Sequence, residues 1–553
     1  MSRLDVESVK AASQALRGAI PAELKEPTTH FSEASVALLK FHGTYQQDDR
    51  DARSRARSEA GAEKAYSFMI RVKATGGRVP AALWAALDEL ADRHGNGTLR
   101  LTTRQGVQLH GVRKAELRAT IADVVAHLGS TLATCGDVVR NIVAPPWPYA
   151  HPAYVHAQAA AEALSREFAP RTGAYLEIWQ DGESVHTEAR ADEPIYGATY
   201  LPRKFKIAVA VPGDNSVDLY TNDTGIVPIV DDAGSVRAYD LAVGGGLGTT
   251  HGKQATFPRL ADELGSVPAE RLLDAVRAIV IVQRDHGDRT DRRHARLKYL
   301  IADRGLDWFR SEVQRQAGFV LDPWIALPPW GDNTRFGWHA QGDGRWFYGV
   351  PVPSGRVRDG AGVRLRSALR ALAAHGYEFI VTAAQQLVVA GVADTQRDAV
   401  EGVLREHGVA DPADVTPLRL RALACPALPT CGLALAEAER GIDPIVSALE
   451  SELAALGLRD ESISLRMTGC PNGCARPYVA EIGIVGQSLD RYQLYLGGNA
   501  ASTRLAKLWR ESVRAAEIAP LLAPLFARFF ATRRPHESFG DWSVREVITE
   551  VSA

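Results

Sequence analysis

One α/β pattern occurs twice in this sequence, in the same segment order and about 280 positions apart, and any fold proposed for the chain must accommodate both copies. In the first copy Leu83, Leu87 and Leu90 fall at i, i+4 and i+7 on a helix closed by Gly95, and a strand-like run follows at 100–112. In the second, Leu365, Leu369 and Leu372 repeat the helical spacing, Gly376 closes it, and the run at 380–392 follows. The copies agree at Thr102/Thr382, Gln105/Gln385, Gly111/Gly391 and Val112/Val392. Residues 68–77 and 347–355 both read as a strand ending in a glycine turn, and 239–246 resembles 492–499. Four pairs in register predict a duplicated α/β unit, with the boundary between copies in the Trp/Pro/Gly-rich stretch at 321–346. At about 150 residues per domain, 553 residues leave room for three or four packed units.

The copies differ where chemistry would sit. Arg71, Lys73, Arg100 and Arg104 of the first correspond to Gly349, Pro351, Ile380 and Ala384 of the second. The second instead carries four of the five cysteines, as C-x5-C (Cys425, Cys431) and C-x3-C (Cys470, Cys474). An anion-handling half thus faces a thiolate half. The cations are local: Lys+Arg 64 against Asp+Glu 66 gives a formal charge of -2, which offers no overall field for nucleic acid.

Four thiolates can hold a zinc ion or an iron–sulfur cluster, or can simply be buried core residues. Structural zinc sites use short knuckles in both arms, whereas here the first arm is wide and Pro426, Pro429 and Pro471 flank the cysteines, a pattern better suited to a 4Fe–4S cubane. The Ala/Leu/Glu-rich stretch at 433–440 is expected to be a helix opened by Cys431, with its N–H groups aimed at the cluster. Five sparse cysteines and an acidic N-terminus also point to a reducing, cytoplasmic compartment. Residues 518–531 are the most apolar long stretch, but prolines and Arg528 are expected to cut it short of a membrane span.

The cysteine pattern with TGCPNGC at 468–474 resembles the signature of sirohaem-dependent sulfite and nitrite reductases. FHGTYQQDDRD at 41–51, RLTTR at 100–104, YLPRKFK at 200–206, QRDHGDRTDR at 283–292 and FGDW at 539–542 extend the resemblance through nearly the whole chain. The acidic form of the first motif is most similar to the haemoprotein-subunit branch of NADPH-dependent assimilatory sulfite reductases. The resemblance implies an α+β fold of internally duplicated mixed α/β units with pseudo-two-fold symmetry: an N-terminal arm (1–62), paired ferredoxin-like half-domains (63–130 and 347–415), a first reductase domain on the anion and sirohaem side (131–330), and a second on the cluster side (416–553).

It further implies that Cys425, Cys431, Cys470 and Cys474 hold a 4Fe–4S cluster, with Cys474 also bridging to the sirohaem iron. Sirohaem and anion contacts carry over to Arg71, Arg100, Thr102, Arg104, Gln108, His110, Arg140, Lys204, Lys206, Arg296 and Asn472. Position 296 is a lysine in the NADPH-type pattern, and arginine there keeps the charge but changes the geometry. The implied reaction is the six-electron reduction of sulfite to sulfide, with Arg71 and Arg140 orienting the anion and Lys204 and Lys206 donating protons. One residue apart in a β-rich run, those two lysines would share a face and raise each other's acidity; the alternative is a pair of solvated edge charges.

Cys135 is the odd thiol. Some relatives carry a tyrosine–cysteine crosslink nearby, which makes Tyr45 a candidate partner, whereas an unmodified small buried residue is the simpler expectation. His42 and His110 could shuttle protons or be packed and hydrogen-bonded. No phosphate loop or dinucleotide fingerprint is present, so electrons must come from a protein, an NADPH-dependent flavoprotein subunit or a ferredoxin. Rival readings are a sirohaem nitrite reductase, a ferredoxin-dependent enzyme, and a non-catalytic protein with structural zinc. No membrane or nucleic-acid partner is expected.

Overall fold

Two five-stranded sheets, one built around each copy, form the centre of the computed structural model, which describes residues 4–56, 64–171, 177–180, 183–187, 193–253 and 255–549. The first sheet has the order Thr44–Asp48, Tyr66–Val72, Val107–Val112, Leu99–Leu101, Arg356–Val357. The second repeats it as Gly337–Ala340, Arg345–Val350, Leu387–Ala393, Glu378–Val381, Arg78–Val79. The two-residue strand at the end of each sheet is donated by the other copy: Arg78–Val79 pairs antiparallel with Phe379 and Ile380, and Arg356–Val357 with Leu99 and Arg100. The exchange demands close backbone approach. A Cβ on Gly77 would lie 2.1 Å from the Val381 carbonyl oxygen, and one on Gly355 would lie 2.5 Å from that of Leu101. Both glycines have positive φ, +84° and +70°, so only glycine satisfies both demands.

Apart from a two-stranded hairpin, Glu177–Gln180 with Glu183–Thr187, the remaining sheets form a second related pair. Ile207–Val209 runs parallel to Thr224–Val230, and Val236–Val243 and Asp262–Pro268 then add antiparallel. In the cysteine half Leu465–Thr468 runs parallel to Ile482–Ser488, followed antiparallel by Arg491–Leu496 and Lys507–Val513, with Ala422–Ala424 added in parallel at the far edge. The likeness of 239–246 to 492–499 maps onto the third strand of each sheet, each ending in a glycine with φ +88° (Gly244, Gly497).

One large core joins the N-terminal region, both half-domains and the anion-side domain, while the cysteine domain has its own core around Ile445, Leu465, Ile484 and Phe526. The N-terminal region supplies Thr44–Asp48, the edge strand of the first sheet. The second sheet likewise takes in strands that begin before residue 347. The expected junction at 62/63 lies outside the described residues. The apolar stretch at 518–531 also departs from expectation: Ala515–Thr532 is one continuous helix, among the described residues the only one long and apolar enough to cross a membrane. Pro520 and Pro524 lie four apart on its exposed face, where lost backbone bonds face water, while Ile518, Leu522, Phe526 and Phe529 bury the opposite face in the cysteine-domain core.

Candidate functional site

Arg71, Gln108 and Arg100 stand in one row across three adjacent strands of the first sheet. The same row of the second sheet is Gly349, Val388 and Ile380. There the apolar face packs beneath Trp147, with Phe347 and Ala390 completing the cluster. Duplication produced two equivalent faces, and only the first kept groups able to hold an anion.

Several of those groups bind one another. With its amide oriented to satisfy both neighbours, Gln108 accepts from Arg71 Nε (3.0 Å) and Nη2 (2.7 Å) and donates to His110 Nε2 (3.3 Å). Arg71 also lies over the Tyr45 ring, 5.5 Å from its centroid. His110 is buried, and burial together with Arg356, Arg100 and Arg71 holds it well below its ordinary pKa, so it is neutral near pH 7 with Nδ1 unpartnered. Arg100 is 1% exposed, ion-pairs with Glu439 and donates to the Ala424 carbonyl (2.7 Å), bracing the strand that leads into Cys425. Thr102 accepts from the backbone N–H of Arg104 (3.2 Å) and Gly106 (3.0 Å), and Thr382 accepts from that of Gln386 (3.0 Å). The shared threonine therefore staples the hairpin turn in both copies, a role that needs no ligand.

A second wall comes from 134–140 and 200–206, which pair through a Val139–Phe205 bridge. Phe205 is buried between Lys204 and Lys206. Neither lysine is a free edge charge: both are half-buried, and neither ammonium has a hydrogen-bond partner among the described residues. Burial, then Arg140, Arg203 and Arg296, pushes Lys204 down to about 7, against the pull of Cys474. Burial and the adjacent Lys204 push Lys206 well down also. Burial likewise disfavours the charge on Arg140, but Cys135 and Tyr45 outweigh it and raise its pKa. Its Nε and Nη2 both donate to Gly136 O at 3.3 Å.

Tyr45 Oη and Cys135 Sγ touch. Burial alone would raise the Cys135 thiol, but Arg140 and Arg71 bring it down to about 7. Arg104 donates to Asn222 Oδ1 (2.7 Å) and to Ile207 O, leaving its buried Nε unpartnered. Arg296 grips Asp223 with Nη2 (2.6 Å) and Nε (3.2 Å). His42 is packed, with Nε2 2.9 Å from Leu16 O.

Parallel strands deliver the cysteines. Ala424 pairs with Met467, so Cys425 and the turn carrying Cys470 leave adjacent strands at the same edge. Cys425 and Cys470 are each 7% exposed; Cys474 is exposed. Gly469 N–H donates to Cys425 Sγ (3.4 Å) and Asn472 Nδ2 to Cys470 Sγ (3.5 Å). Burial, then Cys474, raises Cys425, Cys431 and Cys470, the last to about 12.

The stretch at 433–440 is not the expected helix. Leu435 and Ala436 N–H both donate to Gly469 O (2.7 and 3.0 Å) and Glu439 N–H donates to Cys425 O (3.1 Å), so its amides wrap the cysteine loops, and the next helix is Ile442–Ala455. Copy-one loops close over the cysteines: Thr103 Oγ1 donates to Cys474 O (3.0 Å) and Thr249 N–H to Pro471 O (2.9 Å).

Among the described residues no three His, Cys, Asp or Glu side chains are close enough to hold one metal ion. The four thiols lie near enough to act on one another electrostatically, and two receive N–H donors, as a cubane's ligands would. On the facing side, Lys204, Lys206, Arg104 Nε and His110 Nδ1 are unpartnered polar groups that suit a polycarboxylate ring system.

Sequence reasoning missed Lys298. Fully buried, its ammonium donates to Gly246 O (3.0 Å), Gly248 O (2.9 Å) and Phe257 O, and burial with Arg296 pushes it down to about 6. A lysine two residues beyond Arg296 in HARLKY was the available signal.

The fold and the facing sites define a duplicated redox protein with a thiolate half and a cation half, and comparison with known proteins agrees. Residues 61–127 and 339–407 match the nitrite/sulfite reductase ferredoxin-like half domain, and 159–321 match the nitrite and sulphite reductase 4Fe-4S domain. The chain is 45% identical to a Synechococcus elongatus protein named sulfite reductase (ferredoxin), covering 98% of this chain and 89% of that one. It is 46% identical to a Myxococcus xanthus protein named sulfite reductase (NADPH) hemoprotein beta-component, covering 98% and 96%. The solved structure of Mycobacterium tuberculosis NirA shares the fold, with a TM-score of 0.80 at 23% identity over 98% of this chain and 96% of that one. The chain belongs to the nitrite and sulphite reductase family.

Proposed function

We propose that this chain is the haemoprotein of an assimilatory sulfite reductase, reducing sulfite to sulfide with six electrons. The observation that carries the reading is the apposition of four clustered cysteines to a face where Lys204 and Lys206 stand without hydrogen-bond partners beside Arg140. Cys425, Cys431, Cys470 and Cys474 would hold a 4Fe–4S cluster, with Cys474, the exposed one next to Thr103, serving as the bridge to sirohaem. Together these groups supply electron delivery and a metal that binds sulfur.

The protein residues do the rest. Arg71, oriented by Gln108, and Arg140, anchored on Gly136 O, bind and orient the oxyanion. The three oxygens leave as water, so protons must be delivered near neutral pH, and the Lys204 ammonium near pH 7 can donate and be refilled. Arg100, Arg104 and Arg296, held by Glu439, Asn222 and Asp223, keep the wall positive and shaped.

Purified protein should contain iron and absorb strongly in the visible, and steady-state rates with sulfite and with nitrite as separate substrates test the preference. The donor is an electron-carrying protein; names of both the NADPH and the ferredoxin type occur among the relatives, and reconstitution with a flavoprotein and with a ferredoxin separates them. We place the reaction in the cytoplasm, where sparse thiols stay reduced. Peptide mapping across Tyr45 and Cys135 distinguishes a free thiol from a crosslinked pair, which would lack two hydrogens.

A further inference from the structure

The QRDHGDRTDR motif at 283–292 and the N-terminal helix Val6–Ala11 have no part in the reading above, yet both converge on one buried carboxylate. Asp137 is 1% exposed. Arg292 grips it with both ends of its fork, Nη1 to Oδ2 at 2.6 Å and Nη2 to Oδ1 at 2.8 Å. Lys10 Nζ, whose side chain is fully buried, lies 3.5 Å from Oδ2 and 2.5 Å from Glu7, and Glu7 in turn accepts from Arg289 (2.6 Å).

Each of these cations also holds a carbonyl of the segment leading to the two lysines. Arg289 donates to Tyr200 O (2.7 Å), Lys10 to Leu201 O (2.9 Å) and Arg292 to Pro202 O (3.4 Å). The main chains of the two walls interlock beside them. Leu201 N–H donates to Asp137 O (2.9 Å), Phe205 N–H to Val138 O (3.1 Å), and Arg140 N–H to Phe205 O (2.9 Å). Arg140 and the lysine pair therefore sit on opposite members of one short ladder, and Asp137 stands at its end.

That ladder is under electrostatic load. Arg140, Arg203, Lys204 and Lys206 repel one another, and regular strand begins only at Ile207. A carboxylate that neutralises Arg292 and Lys10 lets two further cations enter this region and fasten the Leu201 and Pro202 carbonyls. We propose that Asp137 is a positioning residue of the anion pocket: through Arg292 and Lys10 it fixes the 200–206 segment against 137–140 and so sets the spacing between Arg140 and Lys204/Lys206. The proposal rests on the reading of that pocket as the sulfite site.

The test uses the cofactor-loaded protein with sulfite. Arg292→Lys keeps the charge and loses the bidentate fork; Lys10→Met keeps the volume and loses the charge. Each should raise KM for sulfite about 3- to 10-fold, lower kcat by less than Lys204→Met does, and leave cluster iron and sirohaem absorbance per chain unchanged. Asp137→Asn should move KM further in the same direction, and the two other variants decide the matter if it fails to fold. An unchanged KM in both Arg292→Lys and Lys10→Met overturns the proposal, as does a loss of kcat and cofactor at constant KM, which is what a merely structural role would give. Wild-type protein that reduces no sulfite removes the functional reading itself; wild-type protein that reduces it while the variants keep its KM removes only this inference.

Discussion

Asp218 and Arg476 occupy equivalent positions in the two copies and form an ion pair with each other. Each has a left-handed backbone, φ +49° and +59°, and opens a short turn, Leu219–Thr221 and Pro477–Val479, ahead of corresponding strands. A contact between equivalents must lie on the axis relating the copies. Arg476 then reaches Thr103 O (3.3 Å) and Ala383 O (2.7 Å), which are also equivalent residues, so one guanidinium ties both hairpin turns to the axis.

Neutralising Asp218 should therefore unfasten the halves. Arg466 also donates to it (2.8 Å), and although burial opposes ionisation, the two arginines win and hold the carboxyl below its ordinary pKa. Asp218→Asn leaves two buried guanidinium groups without their counter-ion and should cost about 3–5 kcal/mol of stability. Equilibrium chemical denaturation at neutral pH measures it, and a loss below about 1 kcal/mol would show the pair to be dispensable.

The duplication, the cysteine quartet and the cation face were legible in the sequence because each has a local signal: leucine spacing, C-x5-C with C-x3-C, and arginines against apolar residues at matched positions. The strand exchange was not, since Arg78–Val79 and Arg356–Val357 are too short to show periodicity and their partners are far away in the chain. Nor was the ion pair of Arg100, whose partner Glu439 is 339 residues distant. The stretch at 433–440 has helical composition, yet Gly469 O and Cys425 O capture its amides, a tertiary override of local propensity. The same blindness to distance hid Asp137, an unremarkable acid until Arg292 and Lys10 are brought to it.

Cysteine substitutions should separate the two cofactor functions. Cys431→Ser removes a proposed cluster ligand only, so purified protein should lose cluster iron. Cys474→Ser removes the proposed bridge as well and should alter the haem bands along with the iron content. Iron analysis paired with visible spectra reads both, and a Cys474→Ser protein with wild-type haem bands would exclude Cys474 as the link.

Glu439 connects the cation wall to the cluster side. It accepts from Arg100 and from Arg356 (2.7 and 2.8 Å), while its own N–H holds Cys425 O. Glu439→Gln leaves Arg100 buried with a weaker partner, which should cost about 2–3 kcal/mol and hasten iron loss to a chelator. Unchanged chelation kinetics would place the Arg100–Glu439 pair outside cluster retention.

Lys204 sets the expected pH dependence. Its charged form, the one proposed to bind the anion and donate protons, predominates below about 7 because burial and Arg140 depress the ammonium. Turnover limited by this proton should fall as pH rises through that region, and Lys204→Met should abolish the limb and most of the activity, about 100-fold or more in kcat. Stability should respond in the opposite sense. A lysine with a folded pKa near 7 and an ordinary unfolded value binds more protons unfolded across the interval between them, so cofactor-free wild-type protein should gain stability as pH is raised through that interval. Lys204→Met carries no such penalty, so at pH 7 and below it should unfold at a higher midpoint than wild type, with the difference shrinking as pH rises. Paired pH–rate profiles and thermal midpoints test both halves, and a variant that loses activity without gaining midpoint would show that the buried charge is already compensated within the protein.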